Sequence, residues 1–392
     1  MLTFKRINPV VLYFALWCCY RLQGVLYTAG GVLSQGLLFI LLAWSLCIFF
    51  DVNKQNRLLP KYIKWLNILL LMFTIYGAAL MIENPDLYIT EGEYTQVSNF
   101  GYLKQIYMSL LPIYAFYHFS IKGLLSQKLI RIMTFMLLAV TIANYMYYSS
   151  LFALTSTREG VTLNVGYSFL ELLPLILLLD IKPSFQFLVF LLCLVFIVLC
   201  VKRGAIIIGA FCYILFILSK IKSGRNVRVY IFLSIISLIF IYYYLEYTMA
   251  NNAYFQHRIE QTIDGNSSNR DQIYSTFWNH FISEQNIFKF MFGNGANSTL
   301  TIGINYAHND WLEIAINNGL FGLLMYFCYF VFLLKDALKI RAQSSLMSSS
   351  MVMAFVILLM TSFFSMSYAS IGLPLAIVIG YVLGQRRMQN PI

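Results

Sequence analysis

The chain has 392 residues, of which 60% are hydrophobic, 17% aromatic and only 11% charged, and its formal net charge is +11. Soluble domains average about 25% charged residues, so this composition excludes an ordinary soluble protein. It indicates an all-α polytopic membrane protein, because a helix satisfies its own backbone hydrogen bonds in lipid. The seven cysteines lie inside apolar runs and indicate neither a disulfide framework nor a metal site.

Apolar runs of roughly 17–22 residues predict about 12 transmembrane helices. They cover residues 9–28, 32–50, 63–82, 103–121, 129–149, 162–180, 184–201, 203–219, 229–248, 310–334, 347–368 and 370–385. The chain therefore divides into a transmembrane bundle with spans 1–9 at 1–248, a loop with an amphipathic helix at 249–309, and spans 10–12 at 310–392.

The placement of Lys and Arg predicts the orientation of these spans, since basic residues collect on the inner side of a membrane. With both termini inside, most of the 27 basic residues fall in inner segments and face anionic lipid, so nucleic-acid binding is not needed to explain the charge. The exceptions, on the predicted outer side, are Arg21, Lys104, Arg158, Lys202, Arg203, Arg258, Arg270 and Lys289.

The longest extramembrane stretch is the outer loop at 249–307, and loops of this length are usually functional. Apolar spacing predicts an amphipathic helix from Asp271 to Phe290 that lies on the bilayer. Ser268 or Asn269 is a candidate cap for its start, and the Gly293-Asn294-Gly295 turn ends it.

His308 begins the apolar segment after this loop, with Asn309 and Glu313 close to it in sequence. In a continuous helix it would lie above Ala315 and Gly319, a small-xxx-small seam that favours close helix packing. One interpretation is that His308 takes a proton from a substrate hydroxyl, and the alternative is a structural histidine. Glu313 either orients a neighbouring side chain or is an ordinary interfacial acid.

Arg203 lies between two apolar runs at the predicted outer face, where an arginine needs an anionic partner or water. It is either a phosphate clamp or an interfacial residue that reaches lipid phosphate, and the same alternatives hold for Arg270. Glu171 lies within a predicted span without an evident partner, and Arg21 is expected to pair with a polar neighbour. No acidic pair, phosphate-binding glycine loop or metal-ligand spacing occurs, so we predict no metal and no cofactor.

Four short motifs, within residues 200–334, resemble those of the O-antigen ligase and polymerase superfamily. They are His308-Asn309 followed by Gly319 and Gly322, Lys202-Arg203-Gly204-Ala205, Asn269-Arg270, and Phe292-Gly293-Asn294-Gly295. The first half of the chain matches in topology only, and Lys202 stands where a small polar residue is more usual.

The resemblance implies a glycosyltransferase C-like membrane fold with one large periplasmic loop between spans 9 and 10. It implies metal-independent, inverting transfer of a glycan from undecaprenyl diphosphate at the periplasmic face of the bacterial inner membrane. Arg203 and Arg270 would hold the diphosphate, and His308 would activate the acceptor hydroxyl. We also assign substrate contacts to Lys202, Asn309, Glu313 and Arg258.

The acceptor separates two members of this superfamily. A polymerase, which we favour slightly, uses a second lipid-linked repeat, whereas an O-antigen ligase uses the lipid A core. A chain-length regulator is a further candidate partner. A lipid-linked oligosaccharide flippase or another transporter is a more distant alternative. Such proteins show two-half symmetry and charge along a central cavity, whereas the unusual charge of this sequence collects at one face and in one loop.

Overall fold

The structure is a computed structural model that describes residues 8–54, 59–83, 86–87, 97–154, 163–222, 227–251, 256, 260, 270–303, 306–340, 344–365 and 371–389. Its regular secondary structure is α-helical apart from one short antiparallel ladder between β1 (Asp86–Leu87) and β2 (Val97–Ser98).

The first part of the chain forms α1 (Pro9–Arg21), α2 (Val32–Asn53), α3 (Lys61–Glu83), α4 (Asn99–Ile121), α5 (Gln127–Leu154), α6 (Val165–Leu177), α7 (Pro183–Leu199), α8 (Arg203–Lys222) and α9 (Val227–Asn251). The segment between α9 and the next long helix, which the sequence places on the outer side, contains α10 (Arg270–Ser283), α11 (Ile287–Phe292) and α12 (Thr299–Ile302). The chain ends in α13 (Asp310–Lys339), α14 (Ser345–Phe364) and α15 (Leu373–Gln389).

Within the described residues, seven helices are long and apolar enough to cross a membrane: α2, α3, α5, α8, α9, α13 and α14. The chain is therefore an integral membrane protein, as its composition predicts. Each predicted span coincides with a helix, and the largest difference is that α1 ends at Arg21. Gly24, with a φ of +86°, turns the chain just after it. The number of membrane crossings and their orientation stay predictions.

Helix α15 lies at the centre of the fold, is buried from residue 373 to residue 384, and packs along α4. Gly380 and Gly384 have the small-xxx-small spacing that lets helix backbones approach closely. A Cβ atom at Gly380 would lie 2.6 Å from the backbone nitrogen of Tyr117. The Ser120 hydroxyl donates to the Tyr381 carbonyl across the same contact, at 2.9 Å.

Helix α13 is interrupted at Gly319, whose φ of +67° and ψ of −166° lie outside the helical region. The break leaves the carbonyls of Ile316 and Asn317 without their helical donors. The backbone nitrogens of Asn294 and Gly295 donate to them instead, at 2.9 and 3.0 Å. The prediction of a continuous small-residue seam is therefore wrong. Gly319 instead contacts the Gly293-Asn294-Gly295 turn (the outer turn) in a conformation that strongly favours glycine.

Two helices replace the single amphipathic helix predicted from Asp271 to Phe290. Helix α10 ends at Ser283, and α11 begins at Ile287 after the N-cap Asn286, whose side chain accepts a hydrogen bond from the Phe288 nitrogen at 3.0 Å. Phe277 and Phe281 are buried against the first half of α13. These two rings pack on protein, whereas Trp278 and Ile282 of the same helix are exposed, so contact of the helix with the bilayer stays a prediction.

A buried ion pair joins α13 to α15. Asp336 accepts from Arg386 Nη1 at 2.8 Å and from the backbone nitrogen of Tyr62 at 3.1 Å. We expect Arg386→Gln to lower the free energy of unfolding by about 2–3 kcal/mol, because it leaves a buried carboxylate without its cation. Thermal unfolding in detergent measures the effect. The control is Lys54→Gln, which removes an exposed ion pair of 3.8 Å and should change stability by less than about 1 kcal/mol. Equal stability of the two variants would contradict the prediction.

Candidate active site

His308 is held in an unusual backbone conformation directly before α13. Its φ is +51°, in the left-handed region that few residues other than glycine adopt. Asn309 is the N-cap of the helix, and its Oδ1 accepts from the nitrogens of Trp311 and Leu312 at 2.9 and 3.2 Å. Its Nδ2 donates to the Phe363 carbonyl at 3.4 Å. Asn309 therefore positions His308, and the substrate contact that we predicted for it stays a prediction.

Glu313 is completely buried one turn into α13. Its carboxylate accepts from the Thr299 hydroxyl, from the Ala307 nitrogen at 2.9 Å and from Asn317 Nδ2 at 3.1 Å. These bonds tie the residue before His308 to the helix and to α12. These contacts agree with the predicted alternative that Glu313 orients its neighbours, while the substrate contact assigned to it stays a prediction.

Arg270, the first residue of α10, is half-buried beside the C-terminal end of α14. Its Nη1 donates to the Phe364 carbonyl at 3.1 Å. The Tyr274 hydroxyl, one turn further on the same face, lies 3.3 Å from the His308 carbonyl and 3.2 Å from the Phe363 carbonyl. The last carbonyls of a helix carry partial negative charge, so they attract this guanidinium. These contacts hold α10 against the chain at His308.

Lys202, Arg203 and Gly204 are half-buried at the start of α8. Val201 precedes them with a φ of +53°, a sharp turn between α7 and α8. A Cβ atom at Gly204 would lie 2.8 Å from the Tyr167 hydroxyl oxygen and 3.5 Å from the Phe364 Cβ. The start of α8 is thus packed against the same end of α14 that receives Arg270.

The electrostatic environment of His308 reflects this convergence. Burial lowers the pKa of His308 below its ordinary value, and the positive charges of Arg270 and Lys202 lower it further. A neutral imidazole near neutral pH can accept a proton. The site therefore combines a candidate general base with cations that can bind an anionic group, and arginine is suited to phosphate oxygens.

The structure thus brings together three residues that the sequence singles out, His308, Arg270 and Lys202. Arg203 directly follows Lys202, where the start of α8 packs on the end of α14. Arg258 lies outside the described residues, as do the predicted caps Ser268 and Asn269. Tyr274 and Tyr167 were not predicted. Tyr274 was identifiable by its position four residues after Arg270 on a helix face, whereas Tyr167 reaches the site only through the packing of α6 on α8.

The long apolar helices make the chain an integral membrane protein. The half-buried basic cluster around His308, at the ends of these helices, is a candidate site for an anionic substrate. The family model described as O-antigen ligase matches residues 188–327, which include Lys202, Arg203, Arg270 and His308. This match confirms the resemblance to the O-antigen ligase and polymerase superfamily and supports a function of that general type. No curated protein matches the sequence.

Proposed function

We propose that the protein transfers a glycan from undecaprenyl diphosphate to an acceptor sugar hydroxyl at the periplasmic face of the bacterial inner membrane. It would act as an O-antigen or surface polysaccharide polymerase. The observation that carries this proposal is the clustering of Arg270 and Lys202 around the half-buried His308, within the segment that matches the family.

The donor's diphosphate binds to Arg203 and Arg270 in this proposal, with Lys202 as a further cation. As the bond from the anomeric carbon to the diphosphate breaks, the electron pair and negative charge move to the diphosphate. Cations that are already in place stabilise this charge in the transition state. The lipid diphosphate is itself the activated leaving group, so the reaction requires neither nucleotide nor metal.

The acceptor hydroxyl loses its proton to the neutral His308 imidazole while its oxygen bonds to the anomeric carbon. Attack opposite the departing diphosphate inverts the anomeric configuration. The proton then passes from His308 to solvent or to the released diphosphate, which regenerates the base. Arg258 remains a proposed substrate contact.

The pH dependence of transfer follows from the state of His308. Because burial and the nearby cations lower the His308 pKa below its ordinary value of about 6.5, the midpoint of the acid limb of the rate profile should lie below about pH 6.5. Lys202→Gln removes a positive charge, so it should raise the His308 pKa and move the acid limb of the rate profile to higher pH. The measurement is the initial rate against pH for the wild type, for Lys202→Gln and for the exposed control Lys289→Gln. An acid limb that stays in place in all three proteins would contradict the assignment of His308.

The acceptor distinguishes the two candidate reactions. Purified protein in liposomes receives a radiolabelled undecaprenyl-diphosphate repeat unit as donor, with EDTA and without nucleotide. The acceptor is either unlabelled lipid of the same kind or lipid A core. A ladder of longer lipid-linked glycans is expected. Label transferred only to lipid A core would favour a ligase. Movement of the intact lipid-linked glycan across the bilayer, without any new glycosidic bond, would favour a flippase.

A further inference from the structure

A second basic cavity lies beside the candidate active site. It has a volume of about 620 Å³, within the range of about 300–1,000 Å³ that ligand pockets occupy. Arg21 and Lys104 line it, together with amide side chains such as Gln105, Asn144 and Asn164. Amide groups can donate and accept hydrogen bonds, as recognition of sugar hydroxyls requires.

The two cations are out of place under the positive-inside pattern. Six basic residues on the predicted outer side are described by the structure. Three of them, Lys202, Arg203 and Arg270, belong to the candidate active site, and Lys289 is exposed on α11. The remaining two are Arg21 and Lys104, which share this cavity. Basic side chains within a membrane protein are costly unless they meet an anion or water, so this placement points to an anionic ligand.

A smaller cavity of about 330 Å³ extends from this one towards the candidate active site. The two cavities share Arg21, Asn164 and Ser168, and the smaller one continues to Tyr167 and Ser365. Tyr167 contacts the start of α8, and Ser365 directly follows the residue whose carbonyl binds Arg270. The path from Arg21 therefore ends beside the proposed donor diphosphate.

Glu171 lines the smaller cavity with Arg21 and accepts from the Gly372 nitrogen at 2.9 Å. This carboxylate compensates one positive charge, which leaves the combined lining with an excess of one. Among the described residues that line the two cavities, Glu171 is the one carboxylate, so Arg21 as its counter-ion would leave the charge of Lys104 uncompensated there.

We infer that this cavity binds the diphosphate and first sugars of a second lipid-linked glycan, the acceptor in chain extension. The inference rests on the proposed function and gives it a location for the acceptor. One diphosphate lies at Arg203 and Arg270, the other at Arg21 and Lys104. The acceptor glycan runs through the smaller cavity and presents its terminal hydroxyl to His308.

The test counts lipids bound to the full-length protein in detergent by native mass spectrometry, with undecaprenyl diphosphate as the probe. The wild type and the control Lys289→Gln should each bind two copies. Arg21→Gln/Lys104→Gln should bind one, and Arg203→Gln/Arg270→Gln should also bind one. Lys104→Gln alone, a milder change at a half-buried position, should weaken binding of one copy by at least about tenfold, the loss of roughly one charge-assisted hydrogen bond.

The outcomes separate this inference from the proposed function. Two copies on Arg21→Gln/Lys104→Gln would overturn the inference, and so would a single wild-type copy that depends on Arg203 and Arg270. Binding of no copy by Arg21→Gln/Lys104→Gln would overturn it too, because the two sites would not be separable. Two copies on Arg203→Gln/Arg270→Gln would instead contradict the proposed donor site. Displacement of one copy by millimolar glucuronate but not by inorganic pyrophosphate would show that the ligand is an acidic sugar and overturn the diphosphate assignment.

Discussion

Replacing Arg270 by glutamine should reduce the rate of glycan transfer by at least about 100-fold. The guanidinium lies beside His308, where the proposed reaction develops negative charge on the diphosphate. Removal of one preorganised donor to such a charge costs about 10²–10³ in rate. Glutamine can still donate to the Phe364 carbonyl, so the loss reports on charge more than on the anchoring of α10. The measurement is the initial rate of transfer by purified protein at saturating donor.

The matched control for this variant is Lys289→Gln, which removes the same charge from an exposed position on α11 in the same outer segment. Its rate should equal that of the wild type. Arg270→Lys should give an intermediate rate, because lysine keeps the charge but lacks the planar pair of donors. A wild-type rate for Arg270→Gln in correctly folded protein would remove Arg270 from the site.

Gly319→Ala should destabilise the protein by at least about 3 kcal/mol. The φ and ψ of Gly319, +67° and −166°, are close to a conformation that is essentially restricted to glycine and costs other residues about 1–3 kcal/mol. A Cβ atom there would also lie 2.5 Å from the Gly293 nitrogen. The Cβ would clash with a backbone atom, so the clash can be relieved only if the outer turn moves away from α13. The yield of monodisperse protein and its thermal unfolding in detergent measure the effect.

Gly36→Ala provides the control for a glycine substitution of the same size. Gly36 is exposed in the second turn of α2, and a Cβ atom there would meet nothing within 4 Å. Alanine is favoured over glycine in a helix by about 1 kcal/mol, so this variant should be as stable as the wild type or slightly more stable. If Gly319→Ala and Gly36→Ala have the same thermal stability in detergent, the interruption of α13 at Gly319 is wrong.

The helices were largely predictable because a helix in lipid needs a long apolar run, and the runs are visible in the sequence. The interruption at Gly319 was not. A glycine with a positive φ and a glycine at a helix contact look the same in sequence, and the outer turn alone distinguishes them. The glycine pair that does bring two helices together, Gly380 and Gly384, escaped notice because its partner helix, α4, is distant in sequence.

The cations of the site were predictable for a related reason. Arg203 and Arg270 violate the positive-inside pattern, and such violations are rare enough to be informative. The helix cap at Asn309 was not predictable, since capping depends on where the backbone turns. For Glu313 the sequence left a positioning role as one of two alternatives, and only its burial favours that role. Arg21 could be recognised as unusual, but only the packing of α1 against α5 places it in a cavity with Lys104.

The most direct test of the proposed site is the release of undecaprenyl diphosphate during glycan transfer. Purified wild-type protein in liposomes, with EDTA and without nucleotide, should release one undecaprenyl diphosphate for each new glycosidic bond. His308→Ala that folds normally should lose both products together, by at least about 100-fold, as expected for loss of a general base. Bond formation without release of the lipid diphosphate, or full activity of His308→Ala, would contradict the proposed reaction and its site.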